Sequence, residues 1–195
     1  MSTKQADLEA KVISLRSAID AVGRWHSHHD PPISGLFAIG VFCEKACVCV
    51  AVVSRPVARL LGNLPGVAEV TRLASDGTTR GAASFALRAC VREAATRGYT
   101  RLVSYTLLGE VGASYRAARW RPTHVTRAGR EWDTPSRRRK PVAQNGAKIR
   151  WEGGKDALPR NMEAWNTLLE NAGKIALKTR DPSPQLDLFD GAKSQ

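Results

Sequence analysis

The sequence predicts an α/β fold, a mixed central sheet flanked by helices, followed by a basic C-terminal extension and a tail whose composition predicts disorder. Three observations carry this reading. Residues 67–108 run as strand, small-residue turn, amphipathic helix and strand, the alternation of strand and helix that marks an α/β core. Residues 36–53 are two almost wholly apolar segments joined by Glu44-Lys45, a hairpin whose two faces must both be covered. With 195 residues, 43% of them hydrophobic, the chain can bury one good core plus appendages.

Taken in order, residues 4–26 carry Leu8, Val12, Leu15, Ile19 and Val22 at alternating four and three spacing, which predicts one amphipathic helix. Its end is Trp25-His26-Ser27-His28-His29-Asp30-Pro31-Pro32, where the prolines forbid continuation. The hairpin strands are 36–43 and 46–53, and 54–66 is a connector with room for one helical turn. VAEVTRLAS (67–75) is β-branched and apolar. DGTTRGAA (76–83) is the turn, and 84–97 is a helix with Phe85, Leu87, Cys90, Val91 and Ala94 on one side. Gly98 stands where a helix C-terminus favours glycine. RLVSYTLL (101–108) is the next strand, HVTR (124–127) completes another, and KIRW (148–151) is the last. Residues 161–180 form a further helix with Met162, Trp165, Leu168, Leu169 and Ile175 on its apolar side. The expected division is a main domain over 1–151, a linker and accessory helix over 152–180, and a tail over 181–195.

Thirty Lys and Arg against eighteen Asp and Glu give a formal net charge of +12, which predicts a polyanionic partner more readily than a neutral metabolite. Liberal use of Arg across a whole proteome would give the same balance without such a partner. No apolar run approaches the ~20 residues of a transmembrane helix, so no membrane association is expected. The N-terminal MSTKQADLEA has no signal-like apolar stretch, so a cytoplasmic location is expected. The four cysteines, 43, 47, 49 and 90, lack metal-ligand spacing and read as reduced structural thiols. The His26, His28, His29 and Asp30 cluster supplies groups that titrate near neutrality, suited to proton transfer or phosphate contact. Its spacing matches none of the common zinc patterns, so no metal is assigned. An exposed helix terminus explains the cluster equally well.

The turn Thr78-Thr79-Arg80-Gly81-Ala82-Ala83 and the later Ala113-Ser114-Tyr115-Arg116-Ala117-Ala118-Arg119-Trp120-Arg121-Pro122 together resemble the core of the GNAT superfamily of acetyl-CoA-dependent N-acetyltransferases, over roughly 36–151. The family's phosphate loop, Gln/Arg-x-x-Gly-x-Gly/Ala, keeps its glycine and its last small residue here, while Thr78 replaces the first position. A strand feeding a helix through such a turn aims backbone N–H groups and the positive helix end at one spot, which suits phosphate. The resemblance implies acetyl-CoA or a related acyl-CoA as donor, held by Leu73, Ala74, Thr79, Arg80, Gly81, Ala82, Ala83 and Ser84. It implies Glu69 as general base, a role that partial burial would favour, although a salt bridge with Arg72 would also account for this glutamate. It implies Tyr115 as proton donor to the leaving thiolate, with Ser114 as the fallback; His26 and His28 are further candidates for proton transfer. The family's glycine before the aromatic is Arg119 here.

Two further stretches concern the acceptor. Arg119, Arg121, Arg137, Arg138, Arg139 and Lys140, with neighbouring Trp120, Trp132, Arg150 and Trp151, combine phosphate-binding forks with stacking platforms and point to DNA. Gln185-Leu186-Asp187-Leu188-Phe189 resembles the pentapeptide by which bacterial replication and repair proteins bind the DNA polymerase sliding clamp. Apolar anchors on a polar tail suit docking into a groove. The acetyltransferase-like core, the DNA-directed charge, the His-rich element and EVTRLASDG together resemble the phage Mom type of DNA-modification protein, which implies action on the exocyclic amine of adenine. Two alternatives remain: an ordinary N-acetyltransferase of a protein or small amine, and a non-catalytic DNA-binding accessory on the same scaffold.

Overall fold

A computed structural model describes residues 7–25, 32, 34–126 and 146–178, with side chains described as far as Glu170. The elements follow as β1 (Leu8–Ile13), α1 (Leu15–Trp25), β2 (Phe37–Cys43), β3 (Ala46–Ser54), α2 (Arg59–Gly62) and β4 (Val67–Ser75). The second half is α3 (Ala82–Thr96), β5 (Arg101–Leu107), α4 (Ala113–Ala117), β6 (Arg121–Thr126), β7 (Lys148–Gly153) and α5 (Met162–Lys178). The seven strands form one sheet in the order β1-β2-β3-β4-β5-β7-β6. Every pairing is antiparallel except β4 with β5. The expected mixed sheet flanked by helices is therefore found.

The single N-terminal helix expected over 4–26 is a strand followed by a helix. Leu8 and Ala10 are half-buried while Glu9 and Lys11 are exposed, a period of two that the four/three spacing of the larger apolar residues conceals. Ser14 makes the break, because its hydroxyl accepts the Ser17 N–H at 3.0 Å and so caps the first turn of α1. α1 then buries Ala18, Ala21 and Val22 against Ala38, Val50, Val52 and Ala74 on one face of the sheet. The larger cluster covers the other face, where Leu87, Cys90 and Ala94 of α3 meet Ile39, Cys49, Ala51 and Val70.

Two irregularities shape the sheet. Val41 and Phe42 face Cys49 and Cys47, so Val48 is an extra residue on β3. This bulge lets Cys49 join the α3-side cluster while Cys47 packs on the α1 side. All four cysteines are free, and Cys49 and Cys90 are buried. Burial raises the Cys49 thiol to about 12, as expected of a structural thiol. On the other side of β3, Val52 and Val53 face Arg72 and Val70, which makes Thr71 an extra residue on β4.

The C-terminal strands are tied by an ion-pair cluster. Glu152 is fully buried and accepts both arms of Arg101 at 2.7 Å, the Thr123 hydroxyl and the Leu158 N–H at 3.0 Å, with Arg150 at 3.0 Å. Burial pushes its carboxyl up, but the Arg101 fork and the other donors outweigh it, and the net shift is downward. This corrects two expectations. Arg150 is engaged with Glu152, and Trp120 and Trp151 are buried in the core, so none of the three is an exposed nucleic-acid contact. The boundary expected at 151 falls inside β7, and Leu168 of α5 joins the main core. His26, His28, Trp132, Arg137, Arg138, Arg139, Lys140 and the 181–195 tail lie outside the described residues.

Candidate active site

β4 and β5 pair over only three residues each, Val67–Glu69 with Arg101–Val103. Beyond Glu69 the Thr71 bulge bends β4, while β5 turns to its antiparallel partner β7, which it pairs as far as Leu107. The strands therefore splay, and the gap between them is a cavity of about 610 Å³. Glu69 to Leu73 of β4 and Ser104 to Leu107 of β5 line it.

The walls come from both sides of the sheet. By strand alternation Glu69 shares the face of Val67 and Val103, which pack with Leu61 of α2. Ser104 shares the opposite face with Leu102, where Tyr115 of α4 lies. Glu69 is 6% exposed and its Oε2 accepts the Val57 N–H at 2.9 Å. Burial raises its pKa, against the lowering pull of that hydrogen bond and of Lys148 and Arg72. A buried carboxylate with a raised pKa at a cavity wall is a candidate for proton transfer.

Across the gap, the Ser104 hydroxyl donates to the Val70 carbonyl at 2.8 Å. It also lies 2.8 Å from the Tyr115 hydroxyl. Since Ser104 has one proton and spends it on Val70, Tyr115 donates to Ser104. Ser104 thus bridges the splayed strands just where their ladder stops. Burial raises the Tyr115 phenol to about 12, the Ser104 hydrogen bond pulling the other way, so it holds its proton throughout the neutral range. Its ring is clamped by Trp151, stacked at 5.3 Å and 18°, and by Trp120, edge-on at 5.7 Å and 73°. Trp151 is itself fixed by donation from Nε1 to Thr106 Oγ1 at 3.0 Å. A side chain at Gly112 would collide with the Trp151 ring, so that glycine permits the stack.

The remaining expected residues divide clearly. Leu73 lines the cavity and Ala74 is buried one residue further on. Gly81 is the N-cap of α3 with φ 85°, and a Cβ there would meet open space. The first-turn N–H groups of a helix lack intrahelical acceptors, so those of Ala82, Ala83 and Ser84 crowd this end; Ala82 N–H reaches Thr79 O at 3.3 Å. Ser84 turns its hydroxyl back to Gly81 O at 2.9 Å. Arg80, Gly81 and Ser84 border a second cavity together with Phe85, Arg88 and Asp7. Thr78 does not face it as a ligand: its N–H and hydroxyl are held by Asp76 at 2.9 Å. Ser114 is half-buried on α4 and is not among the residues lining the Glu69 cavity; Ser104 takes the polar position beside Tyr115 instead. Arg119 and Arg121 are exposed, and Arg119 adopts φ 63°, the left-handed conformation that favours glycine.

Ser104, Val57 and Arg88 border the candidate site and are residues that the sequence did not single out. For Ser104 a signal existed, a small polar residue in a strand, RLVSYTL, that the pattern predicts to be buried. For Val57 there was none, because it acts through its backbone.

No family model matches the sequence, and no curated protein matches it. Solved structures do match the fold. A Bacillus subtilis acetyltransferase in complex with CoA shares 11% identity, covering 76% of this chain and 99% of that one, with a TM-score of 0.51. The ribosomal-protein-S18-alanine N-acetyltransferase of Escherichia coli shares 13%, covering 78% and 100%, with a TM-score of 0.51. A protein described as a GNAT-family acetyltransferase, from Desulfovibrio desulfuricans, shares 11%, covering 76% and 99%, also with a TM-score of 0.51. The seven-stranded mixed sheet flanked by helices and these likenesses agree: the chain has the GNAT acetyltransferase fold.

Proposed function

We propose that this chain is an acyl-CoA-dependent transferase that modifies an exocyclic amine of DNA, adenine N6 being the preferred target. The observation that carries the catalytic half is the placement of Glu69 and the Ser104–Tyr115 pair on opposite walls of one cavity, where β4 and β5 part. The donor fits this architecture: a turn open at Gly81 for phosphate, Arg80 and Arg88 beside it, and a slot between strands for the pantetheine arm. Acyl-CoA supplies an activated acyl thioester. The DNA half is supported by the net charge of +12, and recruitment to replicating DNA by Gln185 to Phe189, which resemble a sliding-clamp motif. A tether of that kind raises the local concentration of enzyme at its substrate.

In this reading Glu69 Oε accepts the proton that the amine sheds as it attacks, directly or through one water. The Tyr115 O–H rotates from Ser104 toward the departing sulfur and delivers its proton there, while Ser104 stays bonded to Val70 O. Adenine N6 is a weak nucleophile because its lone pair is delocalised into the ring, so the general base carries more of the barrier than it would for an alkylamine. Reaching N6 in a duplex requires the base to leave the stack.

A second reading, an N-acetyltransferase of a protein or small amine, is favoured by the S18-alanine N-acetyltransferase among the structural neighbours. Thiol release from acetyl-CoA by the purified chain separates the two. Release stimulated by DNA and not by peptide or polyamine supports the DNA reading, and the reverse pattern overturns it. CoA binding without release for any amine would support a DNA-binding accessory.

A further inference from the structure

The connector between β3 and β4 carries an unusual surface. Val57 is 81% and Leu60 82% exposed, while Leu61 between them and the sheet is buried at 8%. Leu61 packs with Val67 and Val103, so the turn is anchored and its two aliphatic side chains are held outward. Paired exposed aliphatics on an anchored turn mark a contact surface more readily than two scattered ones. The turn also belongs to the site. Val57 and Ala58 line the cavity between the splayed strands, and the Val57 N–H holds Glu69. It lies on the face from which Glu69 reaches in, opposite the face of Ser104 and Tyr115. Arg55 and Arg59 flank it, both exposed, and Lys148 lines the cavity within. Apolar tips between guanidinium groups match a nucleic acid, whose bases present apolar faces between phosphates.

We propose that Val57 and Leu60 form a wedge that enters the base stack of the DNA acceptor and occupies the gap left when the target nucleotide turns into the cleft. This rests on the DNA reading above. Arg55 and Arg59 take the phosphates on either side, and the contact presses on the turn whose backbone positions Glu69.

The test uses the full chain and short duplexes in which 2-aminopurine replaces each adenine of a mixed-sequence strand in turn, since this base brightens when it leaves the stack. The wild-type chain brightens at least one duplex several-fold. The V57S/L60S double variant binds the duplexes with similar affinity, because phosphate contacts dominate binding, yet loses most of that signal at saturating protein. Both positions are exposed, so its melting temperature stays near that of the wild type. Binding by the wild-type chain without brightening overturns the wedge and leaves the DNA reading standing, whereas no DNA binding removes both. An equal signal from the double variant also overturns the wedge. A dimer that the double substitution converts to monomer assigns the patch to a second copy of the chain and overturns it too.

Discussion

Glu69 combines two properties that rarely coexist without a function: a carboxylate almost fully buried and, among the described residues, a single backbone hydrogen bond to hold it. Burial raises its pKa, so holding it ionised costs folding energy. For such a group the favourable contribution to stability is complete below the unfolded carboxylate pKa, about 4.3, and is lost as pH rises through the folded value. Glu69→Gln does not titrate. Its melting temperature should therefore gain on the wild type as pH climbs from about 4 toward neutrality, while transfer slows by roughly 10²–10⁴-fold. Melting scans at several pH values and the thiol-release assay check this; a variant that is active and no more stable at neutral pH contradicts the base assignment. Arg119 offers the converse case. It occupies a left-handed backbone position, φ 63°, at a cost that glycine avoids, so Arg119→Gly should raise stability by roughly 0.5–1 kcal/mol in denaturant unfolding. The GNAT resemblance puts a glycine at this position, and the backbone explains why. Ser114 is the residue-scale correction. It neighbours Tyr115 in sequence, but the polar partner is supplied by Ser104 on β5, a pairing that depends on how α4 docks and so is not visible along the chain.

At the scale of elements, the β4–turn–α3–β5 unit was legible because each segment states its own period and its own stop. β4 spans Val67–Ser75 as expected, and α3 starts two residues earlier than expected, at Ala82, because Gly81 provides the cap. The consequence for function is direct. Gly81 has a positive φ and free space where a Cβ would go, and Asp is among the residues that tolerate that backbone. Gly81→Asp should thus fold normally while placing a carboxylate against the donor phosphates. Titration calorimetry should show CoA binding in the wild type and none in the variant; equal affinity would move the donor site elsewhere. β1 was illegible for a physical reason. Its apolar residues repeat at both two and four, and only pairing with β2 from Leu8↔Cys43 to Ile13↔Ala38 decides between strand and helix. The Glu152 cluster was also hidden, since Arg101, Thr123 and Arg150 converge on it from three strands. Removing Glu152 leaves two guanidinium groups without their buried partner, so Glu152→Ala should cost about 3–5 kcal/mol in denaturant unfolding.

For the whole molecule, the proposed function assigns donor binding and proton transfer to the fold, and the direction of the reaction to DNA to the net charge of +12 and the tail. Neutralising Arg137, Arg138, Arg139 and Lys140 should flatten the dependence of log affinity for duplex DNA on log salt, by about 0.9 for each phosphate that the variant no longer neutralises. An unchanged slope would leave Arg119, Arg121 and the Arg55–Arg59 turn as the DNA path. The isolated Gln185–Phe189 peptide should bind purified sliding clamp with micromolar affinity, roughly 8 kcal/mol. Replacing Gln185, Leu188 and Phe189 with Ala should abolish that binding. The central claim, that this GNAT fold transfers a group to a DNA base, is tested most directly by mass spectrometry of nucleosides from the DNA of cells expressing the chain. The account predicts a deoxyadenosine of increased mass in cells carrying the wild type and its absence in cells carrying Glu69→Gln. Unmodified nucleosides in both, with the wild-type protein folded and binding CoA, would contradict it.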